Sequence, residues 1–174
     1  MQESFNPSKI KLIIGLGNPG EEYEKTYHNV GFLFIDYLTK NLPISNFEFL
    51  ISKSEEFMNE SGRFVSKKLK DKKFVPSELL VVHDDSDLNL GEFKLSFGSG
   101  SAGHKGIEST IKTLGTKDFW RLRIGIRTMA TNPPSLKLRR ARAGEFVLKN
   151  INSQNRKILE NVFKKIKDFV FIGT

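Results

Sequence analysis

Short apolar runs alternate with helical spacings of apolar residues along most of this chain, and this alternation constrains the fold more than any other feature. The first run, KIKLIIGL at Lys9–Leu16, is rich in β-branched and apolar residues and predicts a buried strand, which is followed by a loop. The next segment, Asn29–Lys40, places its apolar residues at helical intervals behind a polar cap. Strands that alternate with helices predict an α/β sandwich around a mainly parallel sheet.

The remaining elements continue this pattern. The sequence predicts strands at Phe47–Ile51, Leu79–Val82 and Phe93–Phe97 and through Leu122, Ile124 and Ile126, and helices at Ser61–Lys73, through Ile107, Ile111 and Leu114, and at Ser153–Phe171. With 174 residues, we expect one domain over 1–174, with a flexible arm at 1–8 and a basic loop at 128–143. Ligands of such sheets bind beyond the carboxyl ends of the strands, so polar clusters that follow three strands are expected to meet at one rim.

Composition excludes several classes of site. The chain has no cysteine, which excludes disulfides, thiolate metal ligands and a cysteine nucleophile and fits a reducing compartment. No apolar run is long enough to cross a bilayer, and Met1–Lys9 has no signal-peptide core, so we expect a cytoplasmic protein without membrane contact. The net charge of +8 attracts polyanions such as RNA, although a basic surface also serves solubility alone.

Two glycine clusters match the letters of the dinucleotide-binding fingerprint. In the first, Gly15–Gly20, Asn18 stands before a proline, which disfavours the helix that would have to begin there. Three interpretations stay open: a nucleotide site, a tight turn without a ligand, and a site in which Asn18 supplies its side-chain amide. The second cluster, Gly98–Gly103, contains Ser101, but Ser99 stands where a nucleophile elbow needs glycine.

The acidic cluster His83–Asp87 directly follows a predicted strand, where we expect a turn. Three carboxylates so close together repel one another unless a cation or a histidine lies among them, and a solvated turn is the other interpretation. A calcium loop is excluded because Leu90 and Ser96 stand where glycine and a bidentate glutamate are needed. A zinc site is not expected, because His83 and His104 have no recognised ligand spacing.

His28 stands at the start of the first predicted helix. A histidine that a carboxylate orients is the usual general base near neutral pH, and His28 follows the Asn18 loop on the side where the acidic cluster is expected. A structural histidine is the other interpretation. It is the one that we favour for His83 and His104, which have no such context in the sequence.

Basic residues form two groups in the last third of the chain. Arg121 and Arg123 alternate along a predicted strand and point to the same face, either as a phosphate-binding pair or as ordinary surface arginines. The second group, within Lys137–Arg142, lies in the late loop, where we expect a solvated segment, with RNA contact as the alternative.

Five motifs stand in one order along the chain and together resemble a single protein family. They are Gly15-Leu-Gly-Asn-Pro-Gly with Tyr23, Thr26, His28-Asn29 and Gly31-Phe32; Phe57-Met-Asn-Glu-Ser-Gly62; His83-Asp84-Asp85 with Asp87-Leu88 and Leu90-Gly91; Gly103-His104 with Gly106; and Arg121-Leu-Arg-Ile-Gly-Ile126. This series, which spans Lys11 to Ile151, resembles the signature of the bacterial-type peptidyl-tRNA hydrolases.

The resemblance implies one α/β domain, a three-layer sandwich with a mixed, twisted sheet flanked by helices. It implies a monomeric hydrolase, without metal or cofactor, that cuts the ester between peptide and tRNA and so recycles tRNA from peptidyl-tRNA dropped by ribosomes. Carried over by motif, His28 is the general base that activates water, and Asp84 orients His28. The implied substrate-binding residues are Asn18, Tyr23, Asn59, His104 and Lys105, and those implied to bind the 5′ phosphate of the tRNA are Lys94 and Arg123.

The chain departs from the family pattern at several positions. Lys105 replaces an asparagine, and we expect its charge either to lower the pKa of His28 or to bind a phosphate. Ser96 replaces a lysine of the phosphate-binding strand, Tyr27 replaces an arginine, and the segment 40–57 is shorter than usual, which thins one edge of the sheet or alters the cleft wall. Two rival hypotheses are a non-catalytic RNA-binding relative and, more distantly, a nucleotide-dependent oxidoreductase.

Overall fold

A computed structural model describes residues 4–42, 48–128 and 144–172. Within these ranges the strands are β1 (Leu12–Gly15), β2 (Leu50–Lys53), β3 (Leu79–Asn89), β4 (Phe93–Phe97) and β5 (Trp120–Arg127). The main helices are α1 (Val30–Asn41), α2 (Ser61–Lys72), α3 (Lys105–Leu114) and α4 (Ser153–Lys167). Single turns of tighter helix precede α1 and α2.

The strands form one sheet in the order β2-β1-β3-β5-β4. The pairs β1–β2, β1–β3 and β3–β5 are parallel, and β4 is an antiparallel edge strand beside β5. Helices α1 and α4 cover one face of the sheet, and α2 and α3 cover the other. The predicted fold, a three-layer α/β sandwich with a mixed, mainly parallel sheet, is confirmed.

Strand β3 contributes to both hydrophobic cores. Leu80 and Val82 pack under α1 and α4, whereas Leu79 and Val81 pack under α2 and α3, because successive side chains of a strand point to opposite faces. All four side chains are fully buried, as expected for a parallel strand covered on both faces.

Helix α1 lies close to the carboxyl end of β1 and to the middle of β3. A Cβ atom on Gly31 would lie 2.5 Å from the carbonyl oxygens of both Leu16 and Val82, so only glycine allows this approach. The close contact places the residues just before α1, among them His28, directly beside the end of β1 and the middle of β3.

One predicted boundary is wrong in a way that matters for the site. The acidic cluster is not a turn after Val82, because β3 continues to Asn89 and pairs with β5 along the way. The ladder is irregular between Asp85 and Asn89, and the chain turns only at Gly91, which has a φ of 103°. The acidic side chains therefore stand on a strand, whose pleat sends neighbouring carboxylates to opposite faces.

The other predicted boundaries shift by a few residues. The expected strand at 47–51 lies at β2, the edge strand at the opposite side of the sheet from β4, which begins only at Leu50, and position 47 falls outside the described residues. At the amino end, the ring of Phe5 packs edge-on against Trp120, with 5.0 Å between the ring centroids. The expected basic loop at 128–143 lies outside the described residues apart from Thr128. In the described part of the chain, no helix has the length and apolar character of a membrane span.

Candidate active site

Polar residues of β3, of the turn before α1 and of the loop before α3 meet at one rim of the sheet. A cleft at this rim is lined by His28, Asp84, Asp85, Ser86, Asp87, Ser101, Ala102, Gly103, His104, Lys105, Gly144 and Val147. His28 belongs to the turn before α1, Asp84 to β3, and His104 caps the amino end of α3. The predicted convergence is confirmed for the acidic cluster and the Gly98–Gly103 loop, whereas Asn18 of the first cluster lies in the neighbouring groove.

One carboxylate at the centre of the cleft holds two histidines. Oδ1 of Asp84 lies 2.8 Å from Nδ1 of His28 and 2.9 Å from Nε2 of His104. Burial acts to raise the pKa of Asp84, but the charges of the two histidines and their hydrogen bonds outweigh it and hold the pKa well below 3.8. Asp84 is therefore an ionised carboxylate that accepts both bonds.

The hydrogen bond to Asp84 decides the protonation state of each His28 nitrogen. Because an ionised carboxylate only accepts, Nδ1 of His28 must carry the hydrogen, and the lone pair of the neutral ring is on Nε2. Burial acts to lower the pKa of His28, but the charge and hydrogen bond of Asp84 outweigh it and raise the pKa above 6.5. His28 thus has the tautomer of a general base, and it is 12% exposed at the cleft wall.

His104 is held at both ring nitrogens. Its Nδ1 accepts a hydrogen bond from the backbone N–H of Ile107 at 3.3 Å, so Nε2 carries the hydrogen that is donated to Asp84. Neither nitrogen keeps a free lone pair. Ser101 lines the same cleft, but His104 cannot act as its base, and this counts against the serine-hydrolase interpretation.

Asn18 is fixed from two sides. Its backbone N–H and carbonyl pair with the side-chain amide of Asn29, at 2.8 and 2.9 Å, and its own Oδ1 accepts from the backbone N–H of Met58 at 2.8 Å. The Nδ2 group makes no hydrogen bond to another described residue and remains a donor. Asn18 lines the groove next to the cleft, beside Phe32 and Lys53, and not the cleft itself.

Two other predicted substrate-binding residues lie near Asn18 but outside the cleft lining. Tyr23 packs edge-on against Phe57, with ring centroids 6.3 Å apart. Asn59 is exposed and lines a second groove between α2 and α3, which meets the cleft at Lys105. The structure therefore brings His28, Asp84, His104 and Lys105 into one cleft, with the other predicted residues around its edge.

The buried side chain of Arg121 fits neither interpretation of the arginine pair, whereas phosphate binding by Arg123 stays a prediction. Arg121 is only 2% exposed and donates from Nη1 to the carbonyl of Gly100 at 3.0 Å, so it supports the glycine-rich loop and is not a surface residue. Burial, together with the charge of Arg123, lowers the pKa of Arg121 to about 10. Arg123 donates from Nε to Oδ2 of Asp85 at 2.6 Å and makes no further hydrogen bond to the described residues. Lys94 stands directly opposite Arg123 in the ladder and is exposed.

The expected effect of Lys105 on the base is wrong. Its ammonium group lies 3.3 Å from the carboxylate of Glu108 in an exposed pair, and the pKa of His28 is raised rather than lowered. The alternative expectation, that Lys105 binds a phosphate, stays a prediction.

One group of side chains in the described ranges has the composition of a metal site. The ligand atoms of His28, Asp84 and His104 lie within 4.8 Å of one another. A cation bound by Nδ1 of His28 and Nε2 of His104 would displace both hydrogens that the rings donate to Asp84, and the neutral His28 ring would then carry its hydrogen on Nε2 and have no free lone pair. The hydrogen-bond network is self-consistent as it stands, which favours acid–base chemistry over metal ligation at these atoms.

The dinucleotide interpretation of Gly15–Gly20 is wrong. The loop leads into a single tight turn at Glu21–Tyr23, and α1 begins only at Val30. The helix therefore begins ten residues after Gly20 and not within the glycines, as the dinucleotide fingerprint requires.

Three features of the site could not be seen in the sequence. Val147 comes back to the cleft and accepts a hydrogen bond from the backbone N–H of His28 at 2.8 Å, although no motif marks it. Asp85 forms an ion pair with Arg123, and the only sign of this role in the sequence was that Asp85 belongs to the acidic cluster. His83 is buried against His104, with ring centroids 4.6 Å apart, where the sequence suggested two unconnected histidines.

A single α/β domain with an ionised, buried carboxylate and an oriented histidine at the rim of its sheet has the architecture of a hydrolytic enzyme. The family model for peptidyl-tRNA hydrolases matches residues 12–172. The chain is 40% identical to the peptidyl-tRNA hydrolase of Aquifex aeolicus, over 90% of this chain and 85% of that protein. It is 46% identical to the enzyme of Sulfurihydrogenibium, over 67% and 70% of the two chains.

A solved structure agrees with these sequences. The crystal structure of peptidyl-tRNA hydrolase from Acinetobacter baumannii superposes with a TM-score of 0.74 at 30% identity, and the alignment covers 96% of this chain and 91% of that one. The chain belongs to the peptidyl-tRNA hydrolase family.

Proposed function

We propose that this protein hydrolyses the ester bond between a peptide, or an N-blocked amino acid, and tRNA, and so returns tRNA from peptidyl-tRNA dropped by ribosomes. The observation that carries the proposal is the 2.8 Å contact between Nδ1 of His28 and Asp84, which leaves Nε2 as the free base in the cleft. Membership of the family, in which the relatives bear the name of this activity, identifies the substrate.

The proposed reaction begins when Nε2 of His28 takes a proton from a water molecule. The hydroxide formed attacks the ester carbonyl and gives a tetrahedral oxyanion, while Asp84 stabilises the positive charge on the imidazole. Collapse of the intermediate breaks the bond to the ribose oxygen, which receives the proton from His28. The products are a free carboxylic acid and a tRNA with a free hydroxyl, and the reaction needs no metal or cofactor.

Polar groups around the base position the substrate in this proposal. Nδ2 of Asn18 is a held donor, because the opposite side of its amide is bound to Met58. Asn59 and Tyr23 flank the cleft, His104 donates to the same Asp84 oxygen as His28, and Lys105 lines both the cleft and the α2–α3 groove. Donors of this kind stabilise developing negative charge on an ester oxygen.

Arg123 and Lys94 form the proposed site for the 5′ phosphate of the tRNA. Asp85 occupies Nε of Arg123, which leaves the two Nη groups for a phosphate, and Lys94 adds a second positive charge across the ladder. The Ser96 hydroxyl is buried without a hydrogen-bond partner, so it does not replace a lysine at this site. The net charge of +8 favours the encounter with tRNA, and we propose that the protein acts in the cytoplasm as a monomer.

The test is hydrolysis of purified N-blocked aminoacyl-tRNA by the wild-type protein and by His28→Ala. We expect the variant to lose turnover and to keep its affinity for tRNA, because the substitution removes the base but does not remove any contact with a phosphate. Lys40→Ala, at the exposed end of α1, is the matched control and should behave as wild type.

Near-normal turnover by His28→Ala would rule out the proposed mechanism. The rival hypothesis, an RNA-binding relative without catalysis, requires that the wild type binds tRNA tightly and releases no amino acid. The intact arrangement of His28 and Asp84 counts against this rival, because RNA binding alone does not need an oriented base.

A further inference from the structure

His83 is a buried histidine that the proposed reaction does not use. It stands next to Asp84 on β3, is 2% exposed, and does not line the cleft. Its Nε2 atom is fully buried, so it has no access to a water molecule in the cleft and is not a second base. It contacts Asp84, which holds His28, and His104, which bonds to the same carboxylate oxygen.

The first contact is a hydrogen bond to the backbone of the carboxylate residue. Nδ1 of His83 lies 2.6 Å from the carbonyl oxygen of Asp84 and must donate, because a carbonyl only accepts. Burial, with His104 and Arg121, holds the pKa of His83 well below 6.5 against the opposing effect of Asp84. The ring is therefore neutral, and its single hydrogen is committed to the Asp84 carbonyl.

The second contact is with the other ligand of the carboxylate. The rings of His83 and His104 meet edge-to-face, with centroids 4.6 Å apart and 64° between their planes. His104 is already held at Nδ1 by Ile107 and at Nε2 by Asp84. His83 packs against one side of the His104 ring and so restrains its rotation on that side.

An ordinary core position would not hold an imidazole in this way. Nε2 of His83 is buried without a hydrogen-bond partner among the described residues, although an apolar side chain would avoid this cost. Because the unpaired Nε2 atom costs stability, the presence of an imidazole at this position has to be explained by the contacts of its other ring atoms. Here those atoms form the bond to Asp84 and the packing against His104.

We propose that His83 is a positioning residue for the hydrolytic reaction. Its N–H bond fixes the backbone at Asp84, its ring fixes His104, and together they keep the Asp84 carboxylate in line with Nδ1 of His28. The inference rests on the proposed roles of His28 and Asp84, and it extends the site by one buried residue behind them.

Three substitutions separate the bond from the packing. His83→Asn keeps an N–H donor on the atom that corresponds to Nδ1, His83→Gln carries its donor further out, and His83→Phe keeps an aromatic ring but has no donor. We expect kcat/KM to fall roughly 10- to 100-fold in the Phe and Gln variants, as for other residues that orient a catalytic side chain. The Asn variant should recover most of the activity. Ser66→Ala, a buried change on α2 away from the cleft, is the matched control.

The decisive readout is the pKa of His28, measured by NMR in each folded variant and from the acid limb of kcat/KM. Loss of alignment with Asp84 should lower this pKa in the Phe and Gln variants and leave it near the wild-type value in the Asn variant. An unchanged pKa of His28 in both the Phe and the Gln variants, with activity reduced only in proportion to the folded fraction, would overturn the proposal. If the Phe variant does not fold, the comparison of Asn with Gln gives the same decision.

Failure of this inference can be told apart from failure of the proposed function. His28→Ala is assayed in parallel with the His83 variants. If it keeps its turnover, the proposed mechanism is wrong. If it is inactive while His83→Phe behaves as wild type in rate and pKa, only the role of His83 is wrong.

Discussion

Nδ1 of His28 lies 2.8 Å from Oδ1 of Asp84, and the two groups stabilise each other's charged forms. The contact joins the turn before α1 to the middle of β3, 56 residues away in the chain. It fixes the tautomer of His28, and it raises the pKa of His28 while lowering that of Asp84. Each of these effects can be measured separately.

Asp84→Asn should reduce kcat by about 10⁴-fold while the protein stays folded, the size of loss seen when the carboxylate of a serine-protease triad becomes an amide. The amide can donate to Nδ1 of His28 and so place the ring hydrogen on Nε2, where a base needs a lone pair. Steady-state hydrolysis of N-blocked aminoacyl-tRNA measures the effect. Asp36→Asn, an exposed carboxylate on α1, is the control and should keep its activity. A loss in Asp84→Asn no greater than in this control would contradict the role of Asp84.

The pH profile of kcat/KM should have an acid limb with its midpoint above 6.5. The base works only when it is deprotonated, so activity rises as pH passes through the pKa of His28, which Asp84 raises above 6.5. Hydrolysis rates under subsaturating substrate between pH 5 and 9 give the midpoint. A midpoint below 6.5 in the wild type would mean that burial outweighs Asp84, or that another group is the base.

Acid should destabilise the fold through His83 and not through His28. The pKa of His83 in the folded state is lowered, so below pH 6.5 the unfolded state binds a proton that the folded state does not. The free energy of unfolding therefore decreases as the pH is lowered. The slope for one such proton is about 1.4 kcal/mol per pH unit. The pKa of His28 is raised, so its stabilising contribution is complete below 6.5 and is lost as pH rises through its folded pKa.

His83→Asn should therefore lose less stability than the wild type between pH 7.5 and pH 5.5. Urea unfolding at the two pH values measures the difference, and the pH-independent cost of the substitution cancels in the comparison. Parallel falls in the two proteins would show that His83 is protonated in the folded state.

Arg123→Ala should weaken the binding of 5′-phosphorylated tRNA more than it slows the chemical step. The substitution removes the guanidinium group that Asp85 holds opposite Lys94 in the β4–β5 ladder. It does not remove a residue that lines the catalytic cleft. Binding of tRNA with and without its 5′ phosphate, at two salt concentrations, measures the effect. Arg127→Ala, further along β5 and bonded to Asn89, is the control. Equal losses for the two tRNA forms would contradict the phosphate site.

Local patterns predicted the elements that build the fold. Strands β1, β4 and β5 and helices α1 to α4 were predicted within a few residues of their bounds, because apolar periodicity is a property of neighbouring residues. The end of β3 could not be predicted in this way. Its acidic residues look like a turn in sequence, and only the parallel pairing with β5 keeps them in a strand.

The environment of each charged group was beyond the reach of the sequence. Arg121 and Arg123 point to the same face as predicted, yet one is a buried support for the glycine-rich loop and the other is paired with Asp85. The sequence suggested that the charge of Lys105 could lower the pKa of His28, but Glu108 holds the ammonium group of Lys105 in an exposed ion pair. Burial and distance between distant segments decide such outcomes, and neither is encoded in spacing.

The sequence by itself determined the α/β architecture, the family resemblance and the candidate base with its carboxylate, since these depend on residue type and order along the chain. Only the tertiary structure decided that Asp84 receives two histidines on one oxygen, that Nε2 of His28 is the free nitrogen, and that His83 stands behind them both. The physical reason is that a tautomer and a pKa depend on burial and on partners within hydrogen-bond distance. Those partners come from β3, from the turn before α1 and from the cap of α3, which only the folded chain brings together.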